Sequence, residues 1–100
     1  MNKHLMKLVT IIAEDVLEEK IVYELLKLGA HGYTISKAKG KGTHSLRMTE
    51  WEGENSRIEV LVNADIADKI LQYISEHYFE KYAIVVYLST VEVLRNDKFN

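Results

Sequence analysis

The sequence contains no cysteine, so disulfide bonds, thiol catalysis and cysteine-ligated zinc sites are excluded. Proline is also absent, which means that the turns depend on glycine and asparagine. No apolar run approaches the roughly 18 residues that a membrane-spanning helix needs. A strong excess of one charge is lacking too, because 13 basic and 15 acidic residues leave a net charge of −2. This balance argues against a domain that binds nucleic acid across its whole surface.

Apolar residues, by contrast, are abundant. They make up 47% of the 100 residues, which is enough for the core of one domain. The first four residues lead directly into a strand-like segment and lack the apolar region of a signal peptide. We therefore expect a single domain over residues 1–100 and a cytoplasmic protein.

Hydrophobic periodicity predicts six elements in the order strand, helix, strand, strand, helix, strand. The predicted strands are Lys7–Ala13, Gly32–Ala38, Ser56–Asn63 and Tyr82–Leu94, and the last of these could bend or divide. The first helix is expected to begin at a capping box of Asp15 and Glu18 and to end at Gly29. The second follows an N-cap at Asn63 and continues to about Phe79. This order predicts an α+β, ferredoxin-like fold with an antiparallel sheet and both helices on one face.

The second face of the predicted sheet has no helix to cover it. Even so, the first and third strands carry apolar side chains on both faces, as the neighbouring pairs Leu8–Val9 and Val60–Leu61 illustrate. An exposed apolar sheet face is costly and usually marks an interaction surface. Self-association in a closed ring would bury this face, so we expect a homo-oligomer.

The segment from Lys37 to Arg47 holds four cations and no acid, and three glutamates follow it. Gly40 and Gly42 allow backbone amides to approach a ligand closely, while Lys41, Thr43 and Arg47 supply further hydrogen-bond donors. This combination suits a phosphate group. The spacing is not that of a P-loop, and a solvated hairpin with ordinary lysines is the alternative that the pattern leaves open.

Other chemistry is weakly represented. The four histidines are scattered without the spacing of metal ligands, although His44 lies inside the basic segment and could add a pH-dependent charge. No nucleophile and base form a recognisable pair, so we expect no catalytic residues and no metal. The first and third strands carry aliphatic rather than aromatic residues, which disfavours RNA binding. Trp51, between Glu50 and Glu52, is a candidate contact for a protein partner.

The chain resembles PII signalling proteins over nearly its whole length, and three segments carry the resemblance. They are residues 29–42, residues 56–68 and residues 87–95. Within that family, residues 40–47 and 87–95 are similar to the SbtB branch of cyanobacterial PII-like carbon sensors. The resemblance implies a homotrimer with adenine nucleotides in the clefts between subunits. The implied ligands are cyclic AMP, AMP, ADP and ATP, none of them permanently bound.

The resemblance also implies a mobile T-loop at about residues 39–55, which docks on a partner according to the bound nucleotide. For the SbtB branch that partner is a sodium-dependent bicarbonate transporter, which would recruit the protein to the membrane surface. By position, the resemblance assigns nucleotide contacts to Thr34, Gly40, Gly42, Thr43, Arg47, Glu59, Leu61 and Arg95.

The chain departs from the family pattern at positions that bear on phosphate binding. Residues 80–83 (Glu-Lys-Tyr-Ala) stand where PII proteins carry a glycine-rich phosphate loop, and Asp97 replaces a second arginine after Arg95. His44 replaces an arginine of the SbtB pattern. The alternative is a trimeric CutA-like protein, either structural or metal-linked, which would not need the long cationic loop.

Overall fold

A computed structural model of the protein describes residues 1–40 and 54–95. The strands are β1 (His4–Glu14), β2 (Thr34–Ala38), β3 (Asn55–Val62) and β4 (Val85–Val93). A 3₁₀ turn (Asp15–Leu17) precedes helix α1 (Glu18–Leu28), and α2 is Ala64–Tyr78. The predicted order of elements is confirmed. The strand β4 is continuous, so the alternative of a divided last strand is wrong, and β3 begins at Asn55, inside the predicted loop.

The four strands form one antiparallel sheet in the order β2-β3-β1-β4. The long β1 lies in the interior of the sheet, where Val9 is opposite Val60 on one side and Leu88 on the other. Each strand–helix–strand unit has another strand between its own two, since β3 lies between β1 and β2, and β1 lies between β3 and β4. The ferredoxin-like α+β fold predicted from the sequence is therefore confirmed.

The core lies between one face of the sheet and the two helices. It combines alternate residues of β1 and β3 with the inner sides of α1 and α2, and Ile11, Ile21, Ile58 and Ile70 are all fully buried in it. Because successive residues of a strand point to opposite faces, Leu8, Thr10 and Ile12 of β1 face away from the helices. The same alternation therefore defines a second sheet face, here called the open face.

Both helix boundaries that depended on a single residue are confirmed. Gly29 ends α1 with a φ of 121°, a backbone conformation that residues other than glycine rarely adopt. Asn63 caps α2, since its side-chain oxygen accepts a hydrogen bond of 2.9 Å from the backbone N–H of Ile66. Neither helix within residues 1–40 and 54–95 is long and apolar enough to span a membrane.

The predicted capping box is wrong. Asp15 lies in the 3₁₀ turn, and no side chain caps that turn or α1. Instead, the hydroxyl oxygen of Ser56 on β3 lies 2.5 Å from both Asp15 Oδ1 and Glu18 Oε1. Ser56 is fully buried, so its hydroxyl needs an acceptor inside the protein, and the two carboxylates supply it. A long-range contact has thus replaced the local one.

Candidate functional site

The open face of the sheet remains uncovered within one protomer. Across it, Thr34 on β2 is opposite Glu59 on β3, Glu59 is opposite Thr10 on β1, and Thr10 is opposite Tyr87 on β4. Apolar side chains flank this row, among them Val85 of β4, which is 50% exposed. The uncovered apolar face expected from the sequence is therefore present in the protomer.

A groove of about 550 Å³ lies on the open face. Its walls are mainly apolar and include Leu8, Leu61, Val91 and Val93, with Gly32, Tyr33, Thr34 and Glu59 at the β2–β3 side. The volume lies within the roughly 300–1,000 Å³ typical of small-molecule sites, which also combine apolar walls with few polar groups. Three predicted site residues, Thr34, Glu59 and Leu61, are thus brought together.

Gly32 and Gly40 are not required by packing among the described residues. A Cβ added at either position would meet no heavy atom within 4 Å, and neither residue has a positive φ. Gly32 lines the groove, so the absence of its side chain leaves room there for a ligand. Gly40 is exposed and lies two residues beyond the end of β2. Its backbone can therefore be approached closely, and the phosphate contact at Gly40 stays a prediction.

Next to the groove, a second polar row carries an arginine. Arg57 on β3 is opposite Ser36 on β2, and its Nε donates a hydrogen bond of 3.1 Å to the Ser36 hydroxyl. Glu59, two residues further along β3, is half-buried in the groove. Neither Arg57 nor Glu59 forms an ion pair with any other described residue. The open face therefore carries Arg57 and Glu59 without an ion pair to any described residue.

A different cluster joins the strand ends from which residues 41–53 depart. The Lys37 ammonium lies 3.0 Å from both oxygens of Asp15 and 3.9 Å from Glu18 Oε1. The hydrogen bond from Ser56, and then that from Lys37, holds the pKa of Asp15 below its usual range. The hydrogen bond to Asp15 in turn raises the pKa of Lys37. The cluster, here called the loop-root cluster, consists of Asp15, Glu18, Lys37 and Ser56, and it ties β2 and β3 to the start of α1.

The remaining predicted site residues are not brought into the groove. Arg95 is the last residue that the structure describes. It is exposed and lies two residues beyond Val93, the end of β4, but it is not in the groove wall. The predicted phosphate contacts Lys41, Gly42, Thr43 and Arg47 lie outside the described residues, as do His44, Glu50, Trp51 and Glu52. Residues 1–40 and 54–95 contain no group of three or more histidine and acidic side chains placed to hold a metal ion.

Sequence reasoning missed several residues of the open face. Leu8, Gly32, Val91 and Val93 line the groove, yet none of them carries a reactive group that marks a site. Arg57 was also missed, although a signal was present. It alternates with Glu59 along a strand, and two residues apart on a strand means the same face of the sheet.

Comparison with known proteins identifies the family of the chain. The sequence model of the family "Nitrogen regulatory protein P-II" matches residues 6–98. The chain belongs to the PII family. The family-level resemblance found in the sequence is therefore confirmed, and the PII interpretation is favoured over the CutA-like alternative.

Solved structures of PII-like proteins superpose closely on this PII-family chain. A PII-like signalling protein from Thermus thermophilus is 43% identical, with a TM-score of 0.86 and complete coverage of both chains. CPII from Thiomonas intermedia, bound to ADP, AMP and acetate, is 27% identical with a TM-score of 0.87, over 99% of this chain and 98% of CPII. The same protein bound to ADP, AMP and bicarbonate is 26% identical with a TM-score of 0.84, over 98% and 96%.

Proposed function

We propose that the protein is a regulatory protein that binds an adenine nucleotide on the open face of its sheet and does not turn it over. The observation that carries this proposal is the groove in which Thr34, Glu59 and Leu61 meet. The family supports it, because its member CPII has been solved with ADP and AMP bound. Apolar walls would take the base out of water, while Thr34 and Glu59 would orient it by hydrogen bonds.

The nucleotide would be held between subunits of a homotrimer. The open face carries exposed apolar side chains, and burying them against a second copy stabilises the assembly at about 25 cal/mol for each Å² removed from water. The groove lies on this same face, so a neighbouring copy would close it and could contribute Arg95 as a phosphate ligand. In a ring of identical copies, each protomer contacts its two neighbours through two different surfaces. Such a ring would bury the apolar open face and would also enclose the groove between neighbouring subunits.

The phosphates would extend toward Gly40 and the residues that follow it. Gly40 and Gly42 would offer backbone N–H groups, while Lys41, Thr43 and Arg47 would offer side-chain donors. Residues 80–83 carry no glycine, and the N–H groups of Lys81 and Tyr82 both donate to the Tyr78 carbonyl. This tight turn does not provide the phosphate loop of PII proteins. We therefore expect AMP, ADP or cyclic AMP to bind better than ATP with magnesium.

Nucleotide binding would change which arrangement of the T-loop, residues 39–55, is populated. A ligand shifts such an equilibrium only by its difference in affinity for the two states, so moderate affinity is sufficient. Glu50, Trp51 and Glu52 would contact the partner, and a buried tryptophan is a common anchor of such contacts. The SbtB-like patterns at residues 40–47 and 87–95 point to a bicarbonate transporter, with a cytoplasmic protein recruited to it at the membrane.

Calorimetric titration with cyclic AMP, AMP, ADP and ATP, with and without magnesium, tests the proposal. We expect micromolar binding at one site per subunit for at least one nucleotide. Thr34→Val should weaken it, whereas the matched control Thr90→Val should not, because Thr90 lies on the other face of the sheet and binds Lys7. No heat with any nucleotide, or equal losses in both variants, would overturn the assignment of the groove.

The partner step is tested separately. Trp51→Ala should leave nucleotide affinity and oligomer mass unchanged while reducing recovery of the protein with membranes that contain the transporter. Dissociation of the Trp51→Ala variant into monomers would instead show that Trp51 is structural, and the partner role would fail.

A further inference from the structure

Two polar rows lie side by side at the β2–β3 edge of the open face. The first is Thr34 with Glu59, which lines the groove, and the second is Ser36 with Arg57. Two residues along a strand span roughly 7 Å, so the two rows are separated by about that distance. The Arg57 side chain therefore begins one row away from the polar end of the groove, on the same face.

Arg57, in the second row, is fixed by a hydrogen bond, but no described carboxylate neutralises its charge. Its Nε donates to the Ser36 hydroxyl at 3.1 Å, which orients the guanidinium plane. Its two terminal nitrogens carry the remaining donors, and Arg57 forms no ion pair with a described residue. The paired terminal nitrogens of a guanidinium match the geometry of a phosphate group.

The path of β2 gives the direction in which a nucleotide would pass this arginine. The strand runs from Thr34 at the groove through Ser36 and ends at Ala38, and Gly40 follows two residues later. A ligand with its base in the groove and its terminal phosphates near Gly40 must cross the row of Ser36 and Arg57. In a nucleotide, the ribose separates the base from the first phosphate, which corresponds to one row of the sheet.

We infer that Arg57 binds the phosphate group adjacent to the ribose, with Ser36 as the positioning residue that orients its guanidinium. This inference rests on the proposed function, because it takes the base to occupy the groove. It makes Arg57 the group that distinguishes a nucleotide from a nucleoside at this site. The competing partner of the arginine is a carboxylate of a neighbouring copy, for which the open face offers Glu59 of β3 and Glu14 at the end of β1.

The test compares adenosine with AMP in the full-length protein. Arg57→Gln should weaken AMP binding by roughly 10- to 100-fold, the range for loss of a hydrogen bond to a charged group, while adenosine affinity stays unchanged. Arg57→Lys should retain part of the AMP affinity, because the charge remains although the paired donors are lost.

Ser36→Ala tests the positioning role and should lower the affinity for AMP by less than Arg57→Gln does, with no change in the affinity for adenosine. Lys69→Gln, a charge-matched change of an exposed residue on α2, should have no effect.

A second measurement uses bound AMP as its own probe and needs no adenosine binding. The ³¹P resonance of AMP bound to the wild-type protein should titrate at lower pH than that of AMP bound to Arg57→Gln, because a nearby guanidinium favours the phosphate dianion. Equal titration midpoints in the two proteins, or equal losses of adenosine and AMP affinity, would overturn the inference.

Oligomer mass separates the remaining outcomes. If nucleotide-free Arg57→Gln falls apart into smaller species while the wild type does not, Arg57 pairs across the subunit interface and the inference is wrong. If the wild-type protein binds neither AMP nor ADP, the proposed function itself fails and the inference fails with it. A wild type that binds AMP together with an Arg57→Gln variant of unchanged AMP affinity overturns only the inference.

Discussion

The ammonium of Lys37 lies 3.0 Å from each carboxylate oxygen of Asp15, which joins the end of β2 to the junction of β1 and α1. Ser56, at the start of β3, binds the same carboxylate. The backbone N–H of Asp15 also donates to the carbonyl of Glu54 at 3.1 Å. Both strands from which the segment between Gly40 and Glu54 departs are therefore attached to one residue, Asp15.

The first prediction concerns the pH dependence of stability. The pKa of Asp15 is lowered in the folded protein, first by Ser56 and next by Lys37, so its contribution to stability is present above the unfolded pKa of about 3.9. That contribution is lost as the pH falls through the lower, folded pKa. Asp15→Asn should therefore reduce the free energy of unfolding at pH 7, and the difference from the wild type should shrink below about pH 4.

Urea unfolding at fixed protein concentration, followed at pH 7 and at pH 3, measures this difference. Asp65→Asn is the matched control, since Asp65 is exposed in the first turn of α2 and makes no such contacts with Ser56 and Lys37. A difference between Asp15→Asn and the wild type that is equally large at both pH values would contradict the assignment.

The second prediction concerns a carboxylate that joins the helices. Glu24 on α1 accepts hydrogen bonds from the hydroxyls of Tyr73, at 2.7 Å, and of Tyr78, both on α2. Tyr78 is only 1% exposed, so Glu24→Ala leaves its hydroxyl buried without this acceptor. We expect a loss of about 1–3 kcal/mol in the free energy of unfolding. Adding Tyr78→Phe to Glu24→Ala should cost less than the two single changes together.

The same tyrosine predicts an alkaline limit to stability. Burial, and next the hydrogen bond to Glu24, raises the pKa of Tyr78 well above its usual value. The folded state therefore keeps the phenol neutral, and stability is lost as the pH rises past the unfolded tyrosine pKa of about 10. Tyr78→Phe should show a shallower alkaline loss in urea unfolding. A loss as steep as that of the wild type would show that other groups cause it.

The third prediction compares two glycines of the same α1–β2 connection. Gly29→Ala introduces a Cβ at a φ of 121° and 2.6 Å from Ile66 Cδ1. The Ile66 methyl can move, but the backbone strain remains, so we expect a loss of about 1–2 kcal/mol in the free energy of unfolding. Gly32→Ala meets open space and should leave stability nearly unchanged, while it narrows the groove and weakens nucleotide binding. Normal nucleotide affinity in stable Gly32→Ala would exclude Gly32 from the site.

The fourth prediction tests the open face as the subunit interface. Val85→Lys changes a residue that is 50% exposed in the protomer, opposite Ile12 on the open face. It should dissociate the proposed trimer, because burying an unpaired ammonium in an interface is costly. Val16→Lys, at a position 76% exposed beside α1, should leave it intact. Light scattering after size-exclusion chromatography distinguishes the two, and a trimeric Val85→Lys variant would contradict the interface.

Several features of the fold could be predicted because they depend on local chemistry. The end of α1 at Gly29 and the N-cap at Asn63 follow from backbone and side-chain preferences within a few residues. Glu24 shows the limit of this approach. Its position on α1 suggests an ordinary solvated glutamate, and only the packing of α2 against α1 reveals the two tyrosine hydroxyls that it binds.

By itself, the amino-acid sequence determined the order of the elements, the placement of both helices on one face of the sheet and the apolar character of the face left uncovered. These follow from periodicity, which is a property of neighbouring residues. Only the tertiary structure decided that Thr34 is opposite Glu59, that Ser36 is opposite Arg57, and that Ser56 binds Asp15 in place of a capping box. Strand register depends on pairing between distant segments, and a shift of one residue would move each of these side chains to the other face.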